Sequence, residues 1–479
     1  MYLADSRGTP AVAPHRGRRW AAVPGTVLAL GAVSLITDVS AEMVTAVLPL
    51  YLVSALGLSP LGFGVLDGVY NGVGALVRLA GGHLADGGGG RHKAVAVAGY
   101  GLSALCKPLL LLAHTLPAIG AVLALDRTGK GLRTAPRDAL ISLATPPERR
   151  GRAFGVHRAM DTTGALCGPV LAFLVLSVAA EGYDAVFTVS SCVAALGVVV
   201  LVLFVPARPA HADADADLTD VDGSAAYSGT LRVTALLWMP GVRRLAACAV
   251  LLGLTTVSDS FVYLLLQRRF EVPAQWFPLL PLGTAAAFLL LAVPLGVVAD
   301  RIGRRRLFLL GHLALLAAYG LVLAVPGGPL PGVPVMASVA VVLVLHGAFY
   351  AATDGVLAAA VAGLVPDAMQ ARGLALVGTG QALARFACSI AFGAAWTAWG
   401  DGPALAVATA GLAISTPVAI AALRPSASPS AGPSAGPSAG QSAGPSGDPS
   451  AGPSGDPSAG PPGGPSAGSS ASPSRQRAT

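Results

Sequence analysis

Gly296-Val297-Val298-Ala299-Asp300-Arg301-Ile302-Gly303-Arg304-Arg305-Arg306 joins two long apolar runs, and a related stretch lies 214 residues earlier. That earlier stretch is Gly82-His83-Leu84-Ala85-Asp86, followed by Arg91-His92-Lys93. A charged turn repeated between membrane-length segments predicts two homologous membrane halves. The duplication extends further. Thr37-Asp38 matches Ser258-Asp259, and Arg150-Gly151 matches Arg372-Gly373, in the same order and at offsets of 221 and 222.

The composition around these landmarks agrees. Of 479 residues, 54% are hydrophobic and 11% charged, against about 25% charged in soluble domains. Most of the chain is therefore expected to be solvated by lipid. A helix needs roughly 20 apolar residues to cross a bilayer. Twelve runs qualify, at about 24–53, 61–84, 94–113, 117–138, 153–178, 185–205, 243–266, 276–299, 307–325, 334–360, 373–397 and 403–423. They are continuous rather than alternating, which favours helices over barrel strands. The predicted fold is an all-α membrane protein with twelve transmembrane helices in two pseudo-symmetric six-helix bundles. The predicted division is a basic N-terminus over 1–22, an N-terminal bundle over 23–205, a linker over 206–242, a C-terminal bundle over 243–424 and a Ser/Ala/Gly/Pro-rich tail over 425–479. The tail repeat cannot bury a core and is expected to be disordered.

The net charge of +7 is distributed against a nucleic-acid surface. Positive residues gather in alternate loops: Arg16, Arg18 and Arg19; Arg91 and Lys93; Arg149, Arg150 and Arg152; Arg208, Arg232, Arg243 and Arg244; Arg301 and Arg304; Arg372; Arg424. The intervening loops hold Glu181, Asp184 and Asp401, with Arg268-Arg269 as an exception. This positive-inside distribution predicts a plasma-membrane protein with both termini in the cytoplasm. The first apolar run is too long for a cleavable signal peptide. Cys106, Cys167, Cys192, Cys248 and Cys388 all fall inside spans without paired spacing, which predicts small packing residues rather than a disulfide framework or metal site. Asp213, Asp215 and Asp217 hint at a calcium loop, but Leu218 and Ser224 stand where Gly and Glu are needed. No cofactor or metal is expected.

Charge inside the spans carries the chemistry. A charge at mid-membrane costs at least about 2.5–3.5 kcal/mol. The fourth span nevertheless holds Asp126, Arg127, Lys130, Arg133, Arg137 and Asp138, which implies a wet cavity or tight pairing. Asp126 and Lys130, four apart, can pair on one helix face. Asp38 and Glu42 have the same spacing in the first span. Two neighbouring carboxylates cannot both ionise cheaply in a low dielectric, so either one holds a proton near neutrality or fourth-span cations neutralise them. His157, Arg158 and Asp161 in the fifth span are spaced to meet the same cations. Asp67, Arg78, Lys107, Asp259, His346, Asp354 and Arg385 are the other ionisable groups inside spans.

Taken together these motifs resemble the major facilitator superfamily, which carries Gly-x-x-x-Asp-Arg-x-Gly-Arg-Arg between spans two and three and a weaker copy between spans eight and nine. Here Gly296, Asp300, Arg301, Gly303 and Arg304 complete the second copy. Gly82, Asp86, Arg91 and Lys93 form the weaker first, with Gly87 in place of Arg. Glycine lets helices approach and the chain reverse, the Asp can accept from a helix N-terminus, and the arginines anchor the loop at headgroups. The expected work of these loops is gating. Arg127 with Gly131 looks like the family's fourth-span Arg-x-x-x-Gly, whose Arg is linked to proton transfer. Gly155, Gly164, Gly168 and Pro169 have the Gly-x8-Gly-x3-Gly-Pro spacing of a fifth-span motif associated with antiporting exporters, without its closing Gly-Gly. Small residues four apart equally serve plain helix packing. The block from Asp126 to Asp138, with Arg150-Gly151-Arg152 beyond it, resembles a bacterial drug/proton-antiporter-like branch with no assigned substrate.

The resemblance covers about 24–424. It implies a secondary active transporter rather than an enzyme, with spans one, four, seven and ten around a central cavity and alternating access by rocking of the halves. The expected activity is proton-coupled antiport exporting a small amphipathic molecule. Asp38 or Glu42 would admit protons and Arg127 would tune them, with Asp126, Lys130, Arg133, Arg158, Asp161 and Asp259 as further coupling residues. The expected partners are a small-molecule substrate, protons and the bilayer, and the expected assembly is a monomer. Uptake of a nutrient or metal-chelate competes with this reading. A scaffold or sensor without flux is a third class. A membrane-embedded transferase is disfavoured because the outer loops are short.

Overall fold

The structure, a computed structural model, describes residues 23–85, 92–146, 149–179, 182–206, 239–324, 335–362, 364–365 and 370–422. The proposed linker's calcium-like run, the C-terminal tail, Asp86, Arg91 and the four-glycine run lie outside them.

Every regular element among the described residues is helical, as a lipid-solvated backbone requires. The first half comprises α1 (Gly25–Leu50), α2 (Pro60–Ala85), α3 (His92–Leu112), α4 (Leu116–Leu143), α5 (Arg150–Val178) and α6 (Gly182–Phe204). The second comprises α7 (Pro240–Gly253), α8 (Asp259–Arg269), α9 (Leu279–Ile302), α10 (Arg304–Leu323), α11 (Val335–Ala362), α12 (Gln370–Trp399) and α13 (Asp401–Ala422). These occupy the twelve expected span positions. Eight helices are long and apolar enough to cross a membrane by composition alone, among the described residues. The charge-laden α4 is not one of them.

Two departures from regular helices have local causes. Pro49 cannot donate a backbone hydrogen bond, and α1 continues as a π-helical turn over Tyr51–Ala55. The seventh span, expected to be continuous over 243–266, is broken between α7 and α8. Thr255-Thr256-Val257-Ser258 supplies β-branched and hydroxyl side chains that compete with helical bonding. Thr255 and Thr256 hydroxyls donate back to the Leu252 carbonyl, and the freed Val257 amide donates to the Tyr319 hydroxyl at 3.1 Å. The break places Asp259 at a helix N-terminus.

Within the first half α1 packs on α5 and α6, while α4 packs on α2 and α3; in the second, α11 packs on α9 and α10, and α12 on α7 and α13. The halves meet chiefly through α2 and α12. A side chain at Gly64 or Gly68 would collide with the Ser389 backbone or the Phe386 ring, and one at Gly393 with the Pro60 carbonyl. Small residues thus bring the helices into close contact. An aromatic knot adds to the seam: the Phe63 ring lies 4.8 Å from that of Phe261, which lies 4.9 Å from that of Phe392. The Leu61 amide donates to the Thr397 hydroxyl at 3.0 Å, and the Phe173 ring meets that of Trp276 at a tilt, 5.2 Å between centroids. These contacts lie toward the end away from the basic loops carrying Lys93, Arg149, Arg243 and Arg301. At that same end Arg269, an exception to the charge pattern, is paired with Asp401 at 3.0 Å.

Candidate functional site

The first half concentrates charge where α1, α3, α4 and α5 meet. Asp38 is buried at 7% exposure and accepts from Arg133 Nη2 at 3.2 Å. Lys130 Nζ stands 4.0 Å from both Asp38 Oδ1 and Glu42 Oε1, so one ammonium serves two carboxylates. Asp126 does not pair with Lys130. It accepts from Lys107 Nζ at 2.9 Å and Ser103 Oγ at 2.7 Å, with Arg127 Nη2 3.8 Å away. The i, i+4 spacing permitted the expected pair, but the α3 cation reaches Asp126 while Lys130 turns to α1. Asp161 lies 3.7 Å from Arg137 and 3.5 Å from Arg158, so the fifth span does meet a fourth-span cation. His157 Nε2 bonds to the Ser34 hydroxyl at 3.0 Å, and Arg158 is largely exposed.

A cavity of about 1150 Å³ lies between the halves. Its first-half wall is Glu42, Thr45, Ala46, Pro49, Asp67, Tyr70 and Asn71, all from α1 and α2. The second half supplies the remainder, including Asp259, Tyr263, Phe288, Tyr350, Gln381 and Arg385. No described residue of α4 is part of this wall, contrary to the expected lining by span four. Asp126, Lys130 and Arg133 are turned into the pairs just described. Arg127 touches the wall indirectly: its guanidinium lies over the Tyr70 ring and donates to the Tyr70 hydroxyl, which also bonds Thr45 at 2.8 Å.

In the second half Asp259 Oδ1 lies 3.0 Å from His346 Nε2 and accepts from Tyr350 Oη at 2.6 Å. The Asp259 side chain is 42% exposed and the His346 side chain 1%, so the imidazole backs a carboxylate that faces the cavity. Arg385 lies 6.0 Å above the Tyr350 ring. This cluster joins three helices, α8, α11 and α12. The sequence singles out its ionisable members but carries no signal that they meet.

The motif glycines divide by contact. A Cβ at Gly164 would collide with the Leu35 carbonyl, and one at Gly168 would stand 2.7 Å from Glu42 Cβ and 2.8 Å from the Val39 oxygen. Gly168 thereby seats Pro169 and α5 against the Glu42 turn of α1. Gly155 and Gly296 have open space where a Cβ would stand, so neither serves a close helix approach. Gly303 does the turning in the second loop: its φ of 89° and ψ of 139° suit glycine alone, and it is the sole residue between α9 and α10. Gly82 lies in α2, Asp300 and Arg304 lie at the facing ends of α9 and α10, and Arg301 is exposed. Lys93 Nζ donates to the Val202 carbonyl at 3.1 Å. Among the described residues no cluster of His, Cys, Asp or Glu is arranged to hold a metal. Cys106, Cys248 and Cys388 are buried free thiols; Cys167 and Cys192 are exposed ones.

Comparison with known proteins agrees with this architecture. The Major Facilitator Superfamily profile matches residues 30–289. An uncharacterised MFS-type transporter of Methanocaldococcus jannaschii is 27% identical over 304 residues, covering 62% of this chain and 70% of that protein. An uncharacterised protein of Mycobacterium tuberculosis is 35% identical over 157 residues, 33% of this chain and 38% of its own length. Among solved structures, the nucleoside transporter NupG superposes with a TM-score of 0.71 at 12% identity, covering 84% of this chain and all of that one. A peptide transporter, POT, superposes at 0.64 and 17% identity, covering 84% and 95%. Twelve helical span positions in two halves, a central cavity and a profile match over more than half the length identify a multi-pass secondary transporter: the chain belongs to the Major Facilitator Superfamily.

Proposed function

We propose that this transporter exports a small amphipathic molecule in exchange for protons, by alternating access. The observation that carries the reading is the single Lys130 ammonium shared by Asp38 and Glu42, with Glu42 also on the cavity wall. Asp38 retains Arg133 as a second partner. Glu42 has no second cation among the described residues, so it is the carboxyl best placed to exchange a proton against substrate. Asp126, Arg127, Asp161 and Arg158 support this pair from behind, and Asp259 offers the opposite wall a polar contact. Aromatic side chains around the cavity, Tyr70, Tyr263, Phe288 and Tyr350, suit an amphipathic guest. The basic loops favour an orientation with both termini cytoplasmic. The closing contacts between the halves then lie on the outer side, and the cavity would face inward. The paired loops at Gly82 to Lys93 and Gly296 to Arg304 would act as gates, and the two bundles 23–205 and 243–424 as the rocking bodies of a monomer.

Inverted vesicles with an imposed pH gradient test the assignment. Addition of a substrate drawn from an amphipathic compound panel should release protons from the lumen of energised vesicles. Asp38→Asn combined with Glu42→Gln should abolish that release, and full retention would overturn the assignment.

A further inference from the structure

Asp67 differs from the other described carboxylates on α1, α4, α5 and α8. Asp38, Glu42, Asp126, Asp138, Asp161 and Asp259 each have a cationic or imidazole nitrogen within 4.0 Å. Asp67 has none among the described residues. It sits on α2 between Gly64 and Gly68, where the two halves are in closest contact, and is 7% exposed. Its Oδ2 accepts from Ser389 Oγ on α12 at 2.7 Å. That hydrogen bond therefore crosses the seam that must part when the cavity opens to the other side.

The groups around it do not supply a counter-charge. On α12, Arg385 is directed to Tyr350 and Asp259, and Cys388 is a buried thiol. At the α7–α8 break the hydroxyls of Ser258 and Ser260 face it, with the Asp259 carboxylate beyond. From α1 comes Glu42, another carboxyl on the same wall; from α4, Arg127 is spent on Tyr70 and Asp126. Tyr70 is the next titratable group on α2 itself. The hydroxyls of Ser258, Ser260 and Ser389 can donate to the carboxyl oxygens and offset part of the cost of burial, but none of them brings a charge. A buried carboxyl offered hydroxyls and two neighbouring carboxylates, but no cation, is stable here as the neutral acid.

We propose that Asp67 is a proton-carrying gate residue: neutral when α2 and α12 are closed, ionised when they part and water reaches it. Its proton would be taken up from the outer side as the seam closes and be released into the inward-facing cavity when substrate arrives, the direction that exchange against an exported substrate requires. Closure and protonation are then one linked equilibrium, and Ser389 is the positioning residue across the seam. The inference rests on the proton-coupled reading above, and adds a carboxyl to it.

The test uses the full chain in lipid nanodiscs, with its native cysteines replaced and spin labels at Ala55→Cys and Trp399→Cys flanking the seam. Pulsed dipolar spectroscopy reads the interlabel distance between about pH 5 and pH 9, spanning ordinary and raised carboxyl titrations. The short-distance population should dominate at low pH. The closed-to-open ratio should fall by up to about tenfold per pH unit around one midpoint, as for one linked proton. Asp67→Asn should stay closed throughout, and Asp67→Glu should restore the response. Ser389→Ala, which keeps the carboxyl, should move the midpoint. No response in the parent, an unchanged response in Asp67→Asn or an unmoved midpoint in Ser389→Ala each overturns the proposal. The Asp38→Asn, Glu42→Gln pair separates it from the broader reading. A response lost only in that pair removes Asp67 as the gate; a response lost only in Asp67→Asn supports it, and the broader reading then stands or falls on substrate-driven proton release in the vesicles.

Discussion

Asp38 and Asp259 occupy matching places in the two halves of a duplicated chain, yet they are held in opposite ways. Asp38 lies in an unbroken helix, nearly sealed, between Arg133 and Lys130. Asp259 opens a helix after a break, faces the cavity, and is held by an imidazole and a phenol. Full charge neutralisation locks the first; hydrogen bonds from groups that need no charge leave the second free to meet a guest. The comparison suggests a division of labour, with ion handling beside α4 and substrate contact beside α8 and α11.

The largest expected effect breaks the first site. Arg133→Met takes the 3.2 Å partner from Asp38 and leaves Lys130 at 4.0 Å as its nearest cation, and breaking a buried ion pair from one side costs about 3–5 kcal/mol. His346→Gln in the second half should cost only about 1–2 kcal/mol, the scale of one hydrogen bond and some packing. Thermal unfolding in detergent compares them; equal losses would erase the contrast between the halves. Next in size is the α1–α5 contact. Gly164→Val meets the Leu35 backbone and should cost about 1–3 kcal/mol by overpacking, whereas Gly155→Ala should stay within about 0.5 kcal/mol. If Gly155→Ala were the more damaging, the motif would be read through a contact absent from this arrangement. Of similar size is the effect in the second Gly-to-Arg loop. Gly303→Ala is strained at its positive φ by about 1–3 kcal/mol, while Gly296→Ala should be neutral or slightly stabilising, because alanine favours the helix. Melting curves for the pair would show whether Gly303 alone sets the turn.

Much of this was legible in the sequence, for identifiable reasons. Continuous apolar runs and the repeated Gly-to-Arg loop specify helical spans and two halves, because lipid leaves the backbone little alternative. The break at 254–258 was hidden: each residue there is compatible with a helix, and the Tyr319 hydroxyl that captures the Val257 amide comes from a distant span. The Lys107–Asp126 pair was hidden too, since it depends on the register of α3 against α4. Gly64, Gly68 and Gly72 were a readable signal that was missed. Their spacing of four marks a close helix approach, and it points to the α2–α12 seam where Asp67 lies.

Proton release driven by substrate in energised inverted vesicles is the most direct test of the central claim, that the first-half carboxyls carry coupling. The Asp38→Asn, Glu42→Gln double variant should show no release, while Asp259→Asn should still release protons but require more substrate. Full release from the double variant, with none from Asp259→Asn, would contradict the account and move ion coupling to the second half.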